Sequence, residues 1–263
     1  MRQLARHHSL PTGTGLHAVQ DEHMRELEFL LARLSAGETI DHELGDREAV
    51  LVKLEGPAGS IEIGESRFEL PARDSVFTDP PSAVYAPPGS VLRLSGPLLA
   101  GIYLAAADPA AAPPAYAVLP DEIASVARGS GNFAREVRDI VPRERPAVRL
   151  LVGETLNPPG NWSSAPPHKH DRDAPPEEAQ LEEIYLFRVD PTQGFGFQGT
   201  YTSEPDARAA FLVRDLEAVT IPSGYHPVVA GPGYRLYYLW GLAGTGRELH
   251  WFADPDHSWV DSG

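Results

Sequence analysis

Apolar residues along this chain come in short runs, rich in β-branched and aromatic side chains and punctuated by Gly or Pro. "AVLVKL" (49–54), "SIEIG" (60–64), "SVFTD" (75–79), "VLRLSG" (91–96) and "LAGIYLA" (99–105) each read as a strand. A softer stretch follows: 105–120 reads as a Pro/Ala linker or surface loop. "PDEIASVARG" and "NFAREVRDIV" (132–141) have apolar spacing suited to short helices. The strand pattern resumes at 148–156, 183–189, 194–202, 207–214, 216–222, 234–244 and 248–253. The simplest account is an all-β chain with an N-terminal barrel (1–120), a short helical connection (121–145) and a C-terminal barrel (146–263).

A weak internal repeat supports two related halves. "EAVLVKLEG" begins at Glu48 and "EIYLFRVDP" at Glu183, and each is followed at the same offset by a Pro-x-Gly turn, at Gly89 and Gly224. Paired jelly-roll barrels fit this pattern, because closing sheets into barrels disposes of exposed strand edges.

Composition narrows the chemistry. The 263 residues are 42% hydrophobic, enough for a core, and carry a net charge of −15, which argues against nucleic acid or an anionic membrane surface as partner. There is no cysteine, so any metal must be held by nitrogen and oxygen. No run approaches 18 apolar residues and the start has no apolar signal region, so a cytoplasmic location is expected.

The candidate chemistry lies in "NWSSAPPHKHDRDAPPEEAQLEEIYLF" (161–187). In a strand, residues i and i+2 share a face, so His168 and His170 point together while Lys169 points away. Glu183 opens the next strand and His226 follows the turn "PSG"; both are placed to complete a set with the pair. Three imidazoles and a carboxylate suit a divalent cation such as Zn, Mn, Fe or Ni. The bland alternative is a solvated, charge-rich loop. In the first half no His-x-His precedes Glu48, and Val91 stands where the offset places His226, so only the second barrel is expected to hold metal. "DRDAPPEEAQLEE" lacks the pattern of a calcium loop and reads as solvated acid. His7-His8 reads as a mobile terminus, and "DPDHSWV" as a turn packing Trp259 onto the barrel.

His-x-His, a Glu at a strand start, then Pro-x-Gly and His resembles the cupin metal motif. The longer strings "NWSSAPPHKHD", "LEEIYLFR", "GFGFQGTYT" and "IPSGYHPVVAGPGYRLYYLWGLAG" resemble the 5-deoxy-glucuronate isomerase family of bacterial myo-inositol catabolism, and "REAVLVKLEG" and "SVFTDPPSAVYAPPG" extend the likeness over nearly the whole chain. The resemblance implies a two-barrel (bicupin) fold, a divalent metal held by His168, His170, Glu183 and His226, and aldose–ketose isomerisation of 5-deoxy-D-glucuronate to 5-dehydro-2-deoxy-D-gluconate. Glu183 is preferred to Glu182 because it immediately precedes "IYLF", as in related metal cupins. Trp240 departs from the smaller polar residue usual there, which bears on pocket shape.

Such an isomerisation removes hydrogen from C2 and delivers it to C1, which a Lewis acid and a well-placed base assist. Tyr185, Tyr201 and Tyr238 are the candidate acid–base groups, each weighed against a role as an amphipathic wall residue. Tyr225 sits in a matching string too. The substrate's carboxylate calls for a cation, for which Lys169, Arg172, Arg188 and Arg235 are candidates. A small anionic sugar is the expected partner, and the pattern leaves room for a homo-oligomer. The alternatives are the related uronate ketol-isomerase of pectin breakdown, a cupin dioxygenase using the same ligands, and a non-catalytic sugar-binding module.

Overall fold

The computed structural model describes residues 4–204 and 207–260. Each half is a sandwich of antiparallel sheets. In the first, a six-stranded sheet runs Tyr116–Val118, Ala83–Ala86, Arg47–Glu55, Leu98–Ala106, Glu28–Leu34, Gly15–Val19; the strands Thr39–Glu43, Val91–Ser95, Gly59–Ile63 and Ser66–Leu70 form its partner. In the second, a large sheet runs Arg6–Ser9, Glu217–Ile221, Glu178–Asp190, Arg235–Gly244, Leu151–Asn157, Arg135–Val141, Ser125–Arg128; its partner is Trp162–Ser163, Val228–Ala230, Gly196–Tyr201, Arg208–Val213. The two-barrel all-β architecture therefore stands. Among the described residues no helix is long and apolar enough to cross a membrane.

Strand alternation separates the interior of each barrel from a core shared between them. Ala49 and Leu51 look into the first barrel with Leu92, Leu94 and Ile102. Their neighbours Val50 and Val52 look the other way, into a shared core with Tyr103, Ile184, Leu186, Tyr237 and Leu239 that joins the two large sheets back to back. Burying each such aliphatic side chain contributes about 1.5–3 kcal/mol. Close approach of the sheets requires one glycine in each. A Cβ on Gly101 would lie 2.6 Å from Leu239 Cδ2, and one on Gly241 would lie 2.4 Å from the Tyr103 ring. Tyr103 then donates its hydroxyl across the interface to the carbonyls of Ile184 and Leu239, both at 2.9 Å.

Two buried carboxylates clasp the halves reciprocally. Glu48, in the first barrel, accepts from the backbone N–H groups of Val148 (2.8 Å), Arg149 (2.6 Å) and Leu150 (2.8 Å), just before the first inner strand of the second. Glu182, in the second, accepts from those of Arg25 (2.9 Å), Glu26 (2.8 Å) and Leu27 (3.2 Å), just before Glu28–Leu34 of the first. Burial pushes the Glu182 carboxyl up from its ordinary pKa, and the three amides pull against that. Beside them, Arg73 of the first barrel donates to Glu154 of the second at 2.9 Å, with both side chains fully buried.

This symmetry corrects the repeat. The spacing pairs Glu48 with Glu183, but the clasp pairs Glu48 with Glu182 and therefore Ala49 with Glu183. The same shift of one residue pairs fully buried Leu92 with His226, whereas Val91 is 37% exposed.

Several expectations change. The connection at 121–145 holds 3-10 turns at Pro120–Glu122 and Gly131–Phe133, and its remaining regular structure is the hairpin Ser125–Arg128/Arg135–Val141. Pairing of Arg135–Val141 with Leu151–Asn157 overrides the local helical spacing, and Val126, Val137 and Val141 suit a strand. Residues 75–79 are a turn, with Asp79 accepting from the amides of Asp74 and Ser75. His7 and His8 are not mobile: Arg6–Ser9 pairs with Glu217–Ile221 of the second barrel, and His7 Nε2 lies 2.7 Å from Glu217. Trp259 is 80% exposed and does not pack onto the barrel; its indole N–H donates to the Asp256 carbonyl.

Replacing Glu48 or Glu182 by Ala should each lower unfolding stability by at least about 3 kcal/mol, because three buried amides lose their acceptor. Exposed Glu43→Ala should cost under about 0.5 kcal/mol. Urea denaturation checks both; equal midpoints for the three variants would contradict the clasp.

Candidate metal centre

The strand Glu178–Asp190 carries its odd-numbered residues into the second barrel and its even-numbered ones toward the shared core: Tyr185 and Phe187 belong to the first group, Ile184 and Leu186 to the second. Glu183 accordingly faces inward, back to back with Glu182. The loop bearing the histidines is sewn to this strand. The amide of Leu181 donates to the His170 carbonyl at 2.8 Å. Fully buried Glu178 accepts from the amides of Asp171 (2.8 Å) and Arg172 (3.0 Å). The run read as solvated acid thus contains three buried carboxylates, Glu178, Glu182 and Glu183.

One nitrogen from each of His168, His170 and His226 lies within 4.8 Å of the others, an arrangement that could hold a metal ion. Glu183 Oε2 is 3.2 Å from both His170 Nε2 and His226 Nε2. The far nitrogens are held by carbonyls, which can only accept: His170 Nδ1 donates to Leu181 O at 2.9 Å and His226 Nδ1 to Gly224 O at 2.8 Å. That fixes the tautomer and leaves each Nε2 with a free lone pair aimed inward. His226 Nε2, although fully buried, makes no hydrogen bond at all. Donors about 3.0–3.4 Å apart are the edges of a polyhedron with ~2.1 Å bonds, so the two 3.2 Å carboxylate–imidazole separations and the orphaned nitrogen fit a cation. The imidazoles differ electrostatically. Burial lowers the His170 pKa, but contact with Glu183 outweighs it and leaves it raised. Burial, then the other two imidazoles, push His168 well below its ordinary pKa, which keeps it neutral. Burial opposes the charge on Glu183, yet contact with His170 and His226 holds its carboxyl down to about 2.

Tyr185 and Tyr238 stand against this cluster. The Tyr185 ring is 6.2 Å from that of His226 and 4.6 Å from that of Tyr238. Its phenol meets Ser164 Oγ at 3.3 Å and the Glu183 carboxylate, and burial followed by that carboxylate pushes its pKa well up. Ser164 has φ 49°, a left-handed backbone uncommon outside glycine. Tyr201 lies elsewhere. It alternates with inward-facing Thr200, so its phenol turns away, donates to Asp254 at 2.7 Å and stacks on Tyr225. Both rings line a neighbouring cavity of about 790 Å³, together with Lys169, Phe252 and His257; none of the four converging residues lines it.

The four candidate cations divide. Lys169 is held between Asp171 (2.8 Å) and Glu178 (2.7 Å), leaving little attraction for a third anion. Arg188 faces away and pairs with Asp215 at 2.8 Å, five positions or about 16 Å along the strand from Glu183. Arg235 pairs with Asp190, seven positions or about 23 Å along. Arg172 stays near the histidine loop, half exposed, with its guanidinium over the Phe252 ring and Glu178 3.6 Å away.

The sequence reading placed a strand at 248–253 but missed its partner and the other neighbours of the cluster. The C-terminal strand Phe252–Ala253 pairs with His168–Lys169, and Trp251 stands 5.5 Å from the His168 ring. Gln198 and Thr200 point inward beside His226, fully buried; the carboxamide oxygen of one and the hydroxyl of the other have no hydrogen-bond partner. Their signal was present: in "GFGFQGTYT" alternate positions place two polar residues on one face.

The KduI/IolB family model matches residues 4–260. The chain is 40% identical over 228 residues to a 5-deoxy-glucuronate isomerase of Geobacillus kaustophilus, covering 86% of this chain and 83% of that one. It is 35% identical over 237 residues to the protein of that name from Bacillus subtilis, covering 89% and 87%. Among solved structures, an IolB-like protein from Salmonella typhimurium superposes with a TM-score of 0.92 at 30% identity, covering 99% and 100%. An oxalate decarboxylase from Lactobacillus farciminis shares the fold, with a TM-score of 0.66 at 9% identity over 96% and 89%.

Chelator-treated protein offered Zn or Mn should take up about one equivalent per chain. His168→Ala and His226→Ala should take up little, with unchanged circular dichroism. Full uptake by both variants, read by elemental analysis, would refute the centre.

Proposed function

The chain belongs to the KduI/IolB family, and from that premise we propose that it is a metal-dependent aldose–ketose isomerase converting 5-deoxy-D-glucuronate into 5-dehydro-2-deoxy-D-gluconate in inositol degradation. The observation that carries the reading is the inward convergence of His168, His170, His226 and Glu183 on one point, with a buried imidazole nitrogen left unpaired. We assign these four as ligands of one divalent cation, for which Zn, Mn, Fe and Ni all match the donor set. A cation there supplies Lewis-acid polarisation of the sugar's carbonyl.

The remaining work falls to the chain. Tyr185 Oη, between Ser164 Oγ and Glu183, is kept protonated by burial and that carboxylate, and we assign it as the acid that gives its proton to the sugar oxygen on which charge develops. Tyr238 packs on its ring and keeps water from it; both are more than nine-tenths buried. Arg172 is the cation we favour for the carboxylate, since Arg188 and Arg235 are committed to distant acids. The substrate is a small anionic sugar, and we place the reaction in the cytoplasm.

Incubating metal-replete protein with 5-deoxy-glucuronate in D₂O and following the product by NMR tests the reaction. Conversion supports it, and deuterium at C1 marks proton transfer; no conversion rejects it, and selective conversion of the pectin-derived ketol substrate favours the related uronate isomerase. Tyr185→Phe should lower kcat by about 10²-fold with metal content unchanged. A kcat within twofold of the parent would remove Tyr185 from the chemistry.

A further inference from the structure

In the second half, besides His226 Nε2 and Asn157 Oδ1, the side chains of Gln198 and Thr200 carry buried atoms that nothing in the described protein satisfies. Gln198 is fully buried, and its Nε2 donates to three carbonyls: His226 O at 2.8 Å, Gly199 O at 2.9 Å and Pro227 O at 3.2 Å. Those acceptors fix the amide, since flipping it would set oxygen against oxygen. Its Oε1 is therefore an acceptor by necessity, and it has no donor. Thr200, two residues on and 1% exposed, has an equally unpartnered Oγ1, 3.6 Å from where a Cβ on Gly224 would lie. Gly224 supplies the carbonyl that orients His226, so Gln198 touches the backbone of His226 and Thr200 stands beside the residue that orients its ring.

A buried acceptor without a donor is costly to keep. A carboxamide oxygen repels carboxylate and phosphate alike and binds whatever brings a hydrogen to it. We propose that Gln198 Oε1 and Thr200 Oγ1 form a hydroxyl-recognition surface for the polyhydroxylated chain of the sugar, taking the hydroxyls at C3 and C4. This rests on the isomerase reading, in which the C1–C2 end lies at the histidines. It makes Gln198 and Thr200 specificity-determining residues that read the sugar's hydroxyls and leave its carboxylate to a cation.

Thr200→Val keeps shape and removes only the hydroxyl; Gln198→Met is the second variant. With metal-loaded protein, each should raise KM for 5-deoxy-glucuronate by about tenfold, with kcat and metal content near those of the parent; the melting temperature should hold in Thr200→Val and fall in Gln198→Met, whose carbonyl partners lose their donor. The penalty should disappear when the substrate analogue lacking the C3 or C4 hydroxyl is used. An unchanged KM in both variants, or the same loss on the substrate and on both deoxy analogues, overturns the proposal. If the parent protein does not turn over 5-deoxy-glucuronate, the isomerase reading fails by itself. Calorimetric binding of that compound then decides the hydroxyl surface, which weaker binding by Thr200→Val upholds and equal or absent binding refutes.

Discussion

Adjacent residues of a strand face opposite ways, and in this molecule that constraint falls on two neighbouring glutamates. Glu182 turns toward the shared core and gathers three amides of the other barrel. Glu183 turns into its own barrel and meets two imidazoles. One carboxylate holds the halves together while the next sits at the candidate metal centre. A slip of one residue in the register of Glu178–Asp190 would exchange them and destroy both arrangements.

The two barrels show how little separates a packed interior from a reactive one. Ala49 and Leu92 occupy in the first the places that Glu183 and His226 occupy in the second, and the first interior is a continuous apolar cluster. Outside the barrels the backbone plan of the halves remains equivalent: Glu48 mirrors Glu182, and the register then sets Gly101 opposite its counterpart Leu239 and Gly241 opposite its counterpart Tyr103. The back-to-back interface thus keeps the reciprocal carboxylate clasp and fits glycine against a bulky counterpart at two positions, whereas the interiors have diverged in chemistry. The second interior collects what a stable core avoids, including an unpaired imidazole nitrogen, an unpaired carboxamide oxygen and an unpaired hydroxyl. Groups left without partners inside a folded protein are where a ligand would find them.

The histidine loop is short of regular structure, and its rigidity comes from elsewhere. Glu178 ties its backbone from one side. The C-terminal strand pairs with it from the other, and the amide of Asp254 donates to the Pro167 carbonyl at 2.8 Å. The terminal segment is therefore part of the centre's support, although it is remote in sequence.

The two-barrel class, most strands and the four converging residues were legible in the sequence, because short apolar runs between Gly and Pro have few solutions and His-x-His with a downstream Glu and His is a local chemical pattern. Partner choice decided the rest. Residues 132–141 have spacing suited to a helix, but the exposed edge of Leu151–Asn157 makes most of them a strand. Arg188, Arg235 and Tyr201 were drawn away by Asp215, Asp190 and Asp254, acids far off in the chain. The repeat was visible but misaligned by one residue, since charge alone does not tell which of two adjacent glutamates faces the interface. A residue's type limits what it can bind; only the packing of distant strands determines what it meets.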